Sequence, residues 1–328
     1  MRLRSAIQYN PLTSAIARRY TQGIATVFML HRVAKLTRPR ITPNEDLKVS
    51  PDYLAEIIQT LRRRGHTFLS LDELHDVLVH KRPAKKLVVF TLDDGYRDNL
   101  TQALPVFAAT GVPFVVYVTN CFPNGTANLW WYELEKLVRQ NDHVSFGNLG
   151  RYRLRTPEEK WQGFMQTRTL FLEKKIGLDD IRAHIGPAED TGLCMSWDEV
   201  SELARHPLAT IGAHTMSHPV LRSLPNDEAY NEIALSKQEL ESRLNRKVEH
   251  FAYPFGERKE AGQREFDLTQ QLGFKTAVTT RPGNVFSEHR RFLTALPRIY
   301  LYENTHTLEK TMYTDVLWAN KFKRIVVL

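Results

Sequence analysis

The stretch that most limits how this chain can fold is Lys85 to Tyr96. Leu87 to Leu92 is a short apolar run rich in β-branched and aromatic residues, with turn chemistry directly behind it. That pattern reads as a buried strand of a parallel sheet. Two adjacent carboxylates, Asp93 and Asp94, follow the strand, and Gly95 lets the backbone turn sharply. Neighbouring carboxylates repel, so a fold holds them best beside a cation. A solvated Asp-Asp-Gly turn is the plainer reading of the same residues.

The same reading extends along the chain. Gly23 to Val33 is a first buried strand ending at His31. Ser50 and Pro51 open a helix closed by Gly65, and Thr67-Phe68-Leu69 is a short strand. Ser70 with Glu73 is a capping box on the next helix. A helix after Asp94 ends near Gly111, and Val112 to Thr119 completes a βαβ unit. Residues 125–190 differ: helical stretches near 131–140 and 158–176 read as an α-rich insertion or lid. Alternation resumes with a helix capped by Ser196, a strand over Ala209 to His214 and a helix over 226–245. A strand over Val248 to Tyr253, a helix over 259–272 and a strand over Phe274 to Thr279 follow. This divides the chain into a basic arm (1–22), an α/β barrel (23–304) and a terminal helix with basic tail (305–328).

Two further clusters fall at strand ends. His214 and His218 lie four residues apart, just past a strand. Zinc-type ions take imidazole nitrogen together with carboxylate oxygen, so two histidines and one aspartate make a three-ligand site with a position open. Pro219 follows at once, so this is not the helical zinc-protease motif. In parallel α/β folds, sites form at the C-terminal strand ends, where the reading places His31, Asp93, Asp94 and His214. The third cluster, Tyr253-Pro254-Phe255-Gly256, suits a rigid turn offering an aromatic face to a sugar.

Thr91-Leu92-Asp93-Asp94-Gly95, His214 with His218, and Tyr253-Pro254-Phe255-Gly256 resemble, in order and spacing, the polysaccharide deacetylase family, the chitooligosaccharide deacetylase (NodB) homology group. The resemblance covers about 24–300 and implies a distorted (β/α) barrel, usually of seven strands, that removes N-acetyl groups from sugars with a metal. It implies Asp93 as general base, and Asp94, His214 and His218 as ligands of a divalent ion, Zn²⁺ foremost, whose bound water attacks. Tyr96 would offer a backbone N–H to the oxyanion. The chain departs from the family pattern twice. Leu296-Pro297-Arg298 stands where a late histidine serves as general acid, and Ala252 stands where an arginine orients the base. His31 is the expected replacement acid. Arg298 either binds substrate or pairs with Asp93. Tyr253, Pro254 and Trp197 are expected around the sugar, and Trp130 and Trp131 either line its groove from the lid or pack in a buried lid core. O-acetyl ester hydrolysis and an inactive carbohydrate-binding barrel are the alternatives.

Composition narrows the partners. The net charge is +8 and the pI about 9.4, with no nucleic-acid-binding motif. The charge is either a solubility bias or an attraction for an anionic partner, such as a lipid- or nucleotide-linked sugar or a membrane face. Cys121 and Cys194 have no paired spacing, so both are expected as thiols. No signal peptide and no apolar run of about 18 residues is seen, so the expected place is the cytoplasm, near the inner membrane face.

Overall fold

The structure, a computed structural model, describes residues 11–186, 192–303 and 308–320. The basic tail at 321–324 and the first ten residues lie outside the described residues. Seven parallel strands form the centre: β1 (Ala25–Leu30), β2 (Leu87–Leu92), β3 (Phe114–Val118), β4 (Ala209–Ala213), β5 (His250–Ala252), β6 (Thr276–Pro282) and β7 (Leu296–Tyr300). Each pairs with the next in chain order, and β7 pairs back onto β1, so the sheet closes into a barrel. The β1–β2 seam is continuous, from Ala25 opposite Leu87 to Leu30 opposite Leu92. The two-residue strand Thr67–Phe68 pairs with the start of β2 outside the closed ring.

Strand periodicity decides what faces inward. Val27, Val89, Val115 and Leu296 belong to one apolar cluster, while Phe28, Phe90 and Phe114 belong to another, packed under the surrounding helices. The interior cluster also takes Leu71, Leu74 and Leu78 from the helix Leu71–Val79. Asp72 on that helix reaches Lys275 and His250, which stand at strand starts, so the helix covers the N-terminal mouth. The capping boxes at Ser70 and Ser196 form as the sequence indicates.

Several boundaries shift. The first strand is shorter than 23–33, the fifth is confined to three residues, and the helix expected over 259–272 begins at Gln263. The helix after Asp94 starts as a π-turn, Asn99–Ala103, before Leu104–Thr110 ends at Gly111 with φ 63°. The segment 125–190 carries the expected helices, plus a third, Leu178–Ile185, and a hairpin of His143–Ser145 with Arg151–Arg153. Leu134, Phe164 and Ile181 give it a small core of its own. Within the basic N-terminal arm, Pro11–Thr21 is a helix that buries Ala17 and Thr21. It packs on the C-terminal turns Lys310–Thr314 and Asp315–Ala319. Among the described residues no helix is long and apolar enough to cross a membrane. Both cysteines are thiols.

Candidate metal centre and its surroundings

Because β2 alternates, Leu87, Val89, Thr91 and Asp93 share its inner face, and Asp93 crowns the interior. Asp94 turns out of that register with φ 76°, and Gly95 follows with φ 92°. A Cβ on Gly95 would also come 3.3 Å from Val118, so glycine suits both the backbone and the space. The turn aims Asp94 along the rim toward the loop after β4. There His214 Nε2 and His218 Nε2 each lie 3.3 Å from Asp94 Oδ1. The three ligand atoms fall within 4.8 Å of one another.

The donor set fits a divalent cation. His214 Nδ1 lies 2.7 Å from the Ala252 carbonyl, which holds the proton on that nitrogen and leaves the Nε2 lone pair for the centre. Asp94 Oδ1 is buried without a hydrogen-bond partner. Burial pushes the Asp94 carboxyl up, but His214 and His218 outweigh it and hold it well below the usual range. Backbone strain gathers here. Thr215 (φ 68°), His218 (φ 60°) and Phe255 (φ 61°) are all left-handed, a costly state for β-branched and bulky residues. Hydrogen bonds over-determine the loop: Ser217 donates from N and Oγ to the Glu232 carboxylate, and Cys121 N–H to Met216 O at 2.7 Å.

Asp93 is gripped by Arg298. Arg298 Nη1 and Nη2 donate to its two oxygens at 2.6 and 2.7 Å, and both side chains are buried. Nη1 also donates to Thr91 Oγ1 at 3.0 Å and Nε to Thr279 O at 2.9 Å. Burial raises the Asp93 carboxyl, and the guanidinium more than offsets it, so the net shift is downward. The sequence offers the signal for this pair: Leu296, Arg298 and Tyr300 alternate on one strand, so Arg298 points into the barrel and needs an anion there. Of its two sequence-level readings, the geometry matches pairing with Asp93.

His31 follows β1 on the same rim. Its Nδ1 is buried without a hydrogen-bond partner, and its ring lies 5.5 Å from that of Tyr300. Burial pushes its pKa down, against the pull of Asp94 and then Asp93.

Other expected site residues are placed differently. The Tyr253 ring is no sugar platform: it is buried, with its hydroxyl engaged by Thr269 Oγ1 at 2.6 Å and Thr294 O at 2.8 Å. Pro254 is buried and shapes the turn, and the exposed ring is Phe255, 47% accessible and 5.0 Å from the His218 ring. Trp197 is also displaced from the pocket wall. Its Nε1 donates to Asn124 at 2.8 Å and Arg243 lies over its ring. Trp130 stacks on Phe171 inside the insertion, with ring centres 4.8 Å apart. Trp131 lies between Trp130 and Tyr132, with its Nε1 buried. The Tyr96 ring is buried beneath Arg32. Its backbone sits opposite Cys194 in a bridge flanked by Arg97 N–H to Leu193 O and Met195 N–H to Gly95 O. That is the non-hydrogen-bonded pair of an antiparallel ladder, so the Tyr96 N–H points away from Cys194.

Comparison with known proteins agrees with the geometry. A family model described as polysaccharide deacetylase matches residues 163–277, which include both histidines and the turn at Phe255. The putative polysaccharide deacetylase YxkH of Bacillus subtilis is 20% identical over 244 residues, 74% of this chain and 62% of that protein's length. The chain thus spans less than two thirds of that relative. Among solved structures, the Streptococcus pyogenes deacetylase PplD in complex with acetate aligns with TM-score 0.61 and 20% identity, covering 88% of this chain and 97% of that one. IcaB from Ammonifex degensii aligns with TM-score 0.54 and 20% identity, covering 91% and 97%. With the barrel, the rim aspartates and the paired histidines already in place, the chain is similar to polysaccharide deacetylases through the family model over residues 163–277 and shares the barrel fold of the solved structures.

Proposed function

We propose that the protein hydrolyses the N-acetyl group of an acetamido sugar, in a glycan or a lipid- or nucleotide-linked precursor, with a divalent cation, Zn²⁺ foremost. The observation that carries this reading is the convergence of Asp94, His214 and His218 beside an aspartate that is not itself part of the triad. A cation held by that triad supplies Lewis acidity for the amide carbonyl and lowers the pKa of water in its shell.

The residues of the chain do the rest. Asp93 takes the proton from the attacking water, and Arg298 fixes which carboxylate lone pair faces it, at some cost in basicity. The Tyr96 N–H donates to the oxygen that gains charge as the carbonyl becomes tetrahedral. His31 Nδ1 carries a proton to the departing amine. Negative charge developing beside it opposes the effect of burial and favours the imidazolium. Phe255 offers an exposed ring to the sugar beside His218.

The test is acetate release from matched N-acetyl and O-acetyl sugars by the metal-loaded protein. Acetate from the amide, abolished in Asp93→Asn and strongly reduced in His31→Ala, is the expected result. Release from the ester alone would replace the amidase reading with an esterase. Release from neither, with no bound metal, would leave a carbohydrate-binding barrel.

A further inference from the structure

The strands run parallel, so residues just before them lie at the barrel end opposite Asp94. A pocket of about 230 Å³ opens there. Its walls are Arg18, Arg64, His66, Lys86, Glu309 and Tyr313, with Met312. His66 directly precedes the short strand at Thr67, and Lys86 directly precedes β2.

Three permanent cations surround this cavity against one carboxylate. Each spends little of its donor capacity on the protein. Arg18 donates through Nε to Gln22 at 3.1 Å, and its guanidinium lies 5.8 Å from the Tyr313 ring centre. Lys86 Nζ donates to Arg64 O at 2.8 Å, and Arg64 Nη1 pairs with Glu309 at 3.3 Å. Gathering like charges around a cavity is unfavourable unless an anion joins them. The backbone gives an independent sign. Lys86 is a non-glycine residue at φ 57°, a conformation that L side chains adopt at a cost and that recurs at ligand sites.

We propose that this pocket binds a phosphoryl group, carried by a small phosphomonoester or by an anionic phospholipid headgroup. Guanidinium forks and an ammonium match the tetrahedral oxygens of phosphate. The site is independent of the deacetylation reading, since it stands at the other end of the barrel.

The probes are inorganic phosphate and glycerol 3-phosphate, titrated into the metal-loaded full-length protein at constant ionic strength against chloride. A second arm uses sedimentation with vesicles containing phosphatidate. The variants are Lys86→Asn, whose side chain tolerates the left-handed backbone, and Arg18→Gln. Saturable phosphate binding, weakened about tenfold or more in both folded variants, is expected, each lost donor being a charge-assisted bond. Variant-sensitive binding to vesicles alone would assign the phosphoryl group to lipid. Phosphate affinity equal in wild type and both variants would place the anion elsewhere and overturn the proposal. No saturable phosphate binding together with no variant-sensitive vesicle binding would overturn it as well.

Discussion

Arg298→Met is the most revealing single perturbation of the barrel interior. The wild-type guanidinium is fully buried and satisfies both oxygens of buried Asp93, one threonine hydroxyl and one carbonyl. Methionine fills much of the volume and supplies none of the donors. Removing one member of a buried, hydrogen-bonded ion pair costs about 3–5 kcal/mol. The orphaned Thr279 carbonyl adds about 1 kcal/mol. A total near 4–6 kcal/mol is a large share of the roughly 5–15 kcal/mol that keeps a domain folded. Urea unfolding followed by tryptophan fluorescence measures it. The pH dependence has a defined sign. In the wild type the Asp93 carboxyl sits below its ordinary range, so its contribution is present above the unfolded pKa and fades as pH falls through the folded one. Without Arg298, burial is opposed only by the smaller pulls of His214 and His31 and raises the carboxyl, so the variant's deficit shrinks as pH falls. Asp93→Asn combined with Arg298→Met removes the uncompensated charge and recovers most of the loss, without recovering activity. A deficit below about 1 kcal/mol, or a double variant no more stable than Arg298→Met, refutes the reasoning.

Further outcomes follow from other contacts. Phe255→Ala is expected to raise KM roughly fivefold with kcat nearly unchanged, as for loss of about 1 kcal/mol of ring contact; a fall in kcat at constant KM would count against a sugar platform. Gly212→Ala puts a Cβ 2.4 Å from the buried Tyr117 ring, whose centre lies 5.8 Å from the Arg298 guanidinium carbon. It should cost about 1–3 kcal/mol, and an unchanged thermal midpoint would contradict the packing. Asp72 is held below the usual carboxylate range by His250 first and then Lys275, against burial. Its side chain is 47% exposed, so screening trims the effect of Asp72→Asn to about 0.5–1 kcal/mol at neutral pH. That difference should start to fade as pH falls below the ordinary carboxyl range and disappear only through the lower folded pKa, and one that grows in acid would reverse the assignment.

The barrel and its rim were legible because strand periodicity and turn chemistry act locally. Leu87 to Gly95 carries its own instructions, and Ser50, Ser70 and Ser196 mark helix starts that tertiary contacts do not override. Orientation at the site was harder to read. Tyr253 precedes Pro254 as a sugar-binding ring would, yet an inward turn after β5 gives its hydroxyl to Thr269 and leaves Phe255 outside. Trp197 begins a helix near the rim, but Asn124 and Arg243 claim it from the neighbouring elements. The Arg298 role was one of two readings until β7 was seen beside β1, because only register brings positions 93 and 298 to one level. The hairpin at His143–Arg153 has short, weakly alternating strands that local pattern does not reveal.

X-ray absorption at the zinc edge, on protein loaded with one equivalent of Zn²⁺, tests the centre most directly. Two imidazole nitrogens and one carboxylate oxygen at about 2.0–2.2 Å are expected, with one imidazole lost in His218→Ala. Zinc that fails to bind, or a spectrum without imidazole scattering, would contradict it.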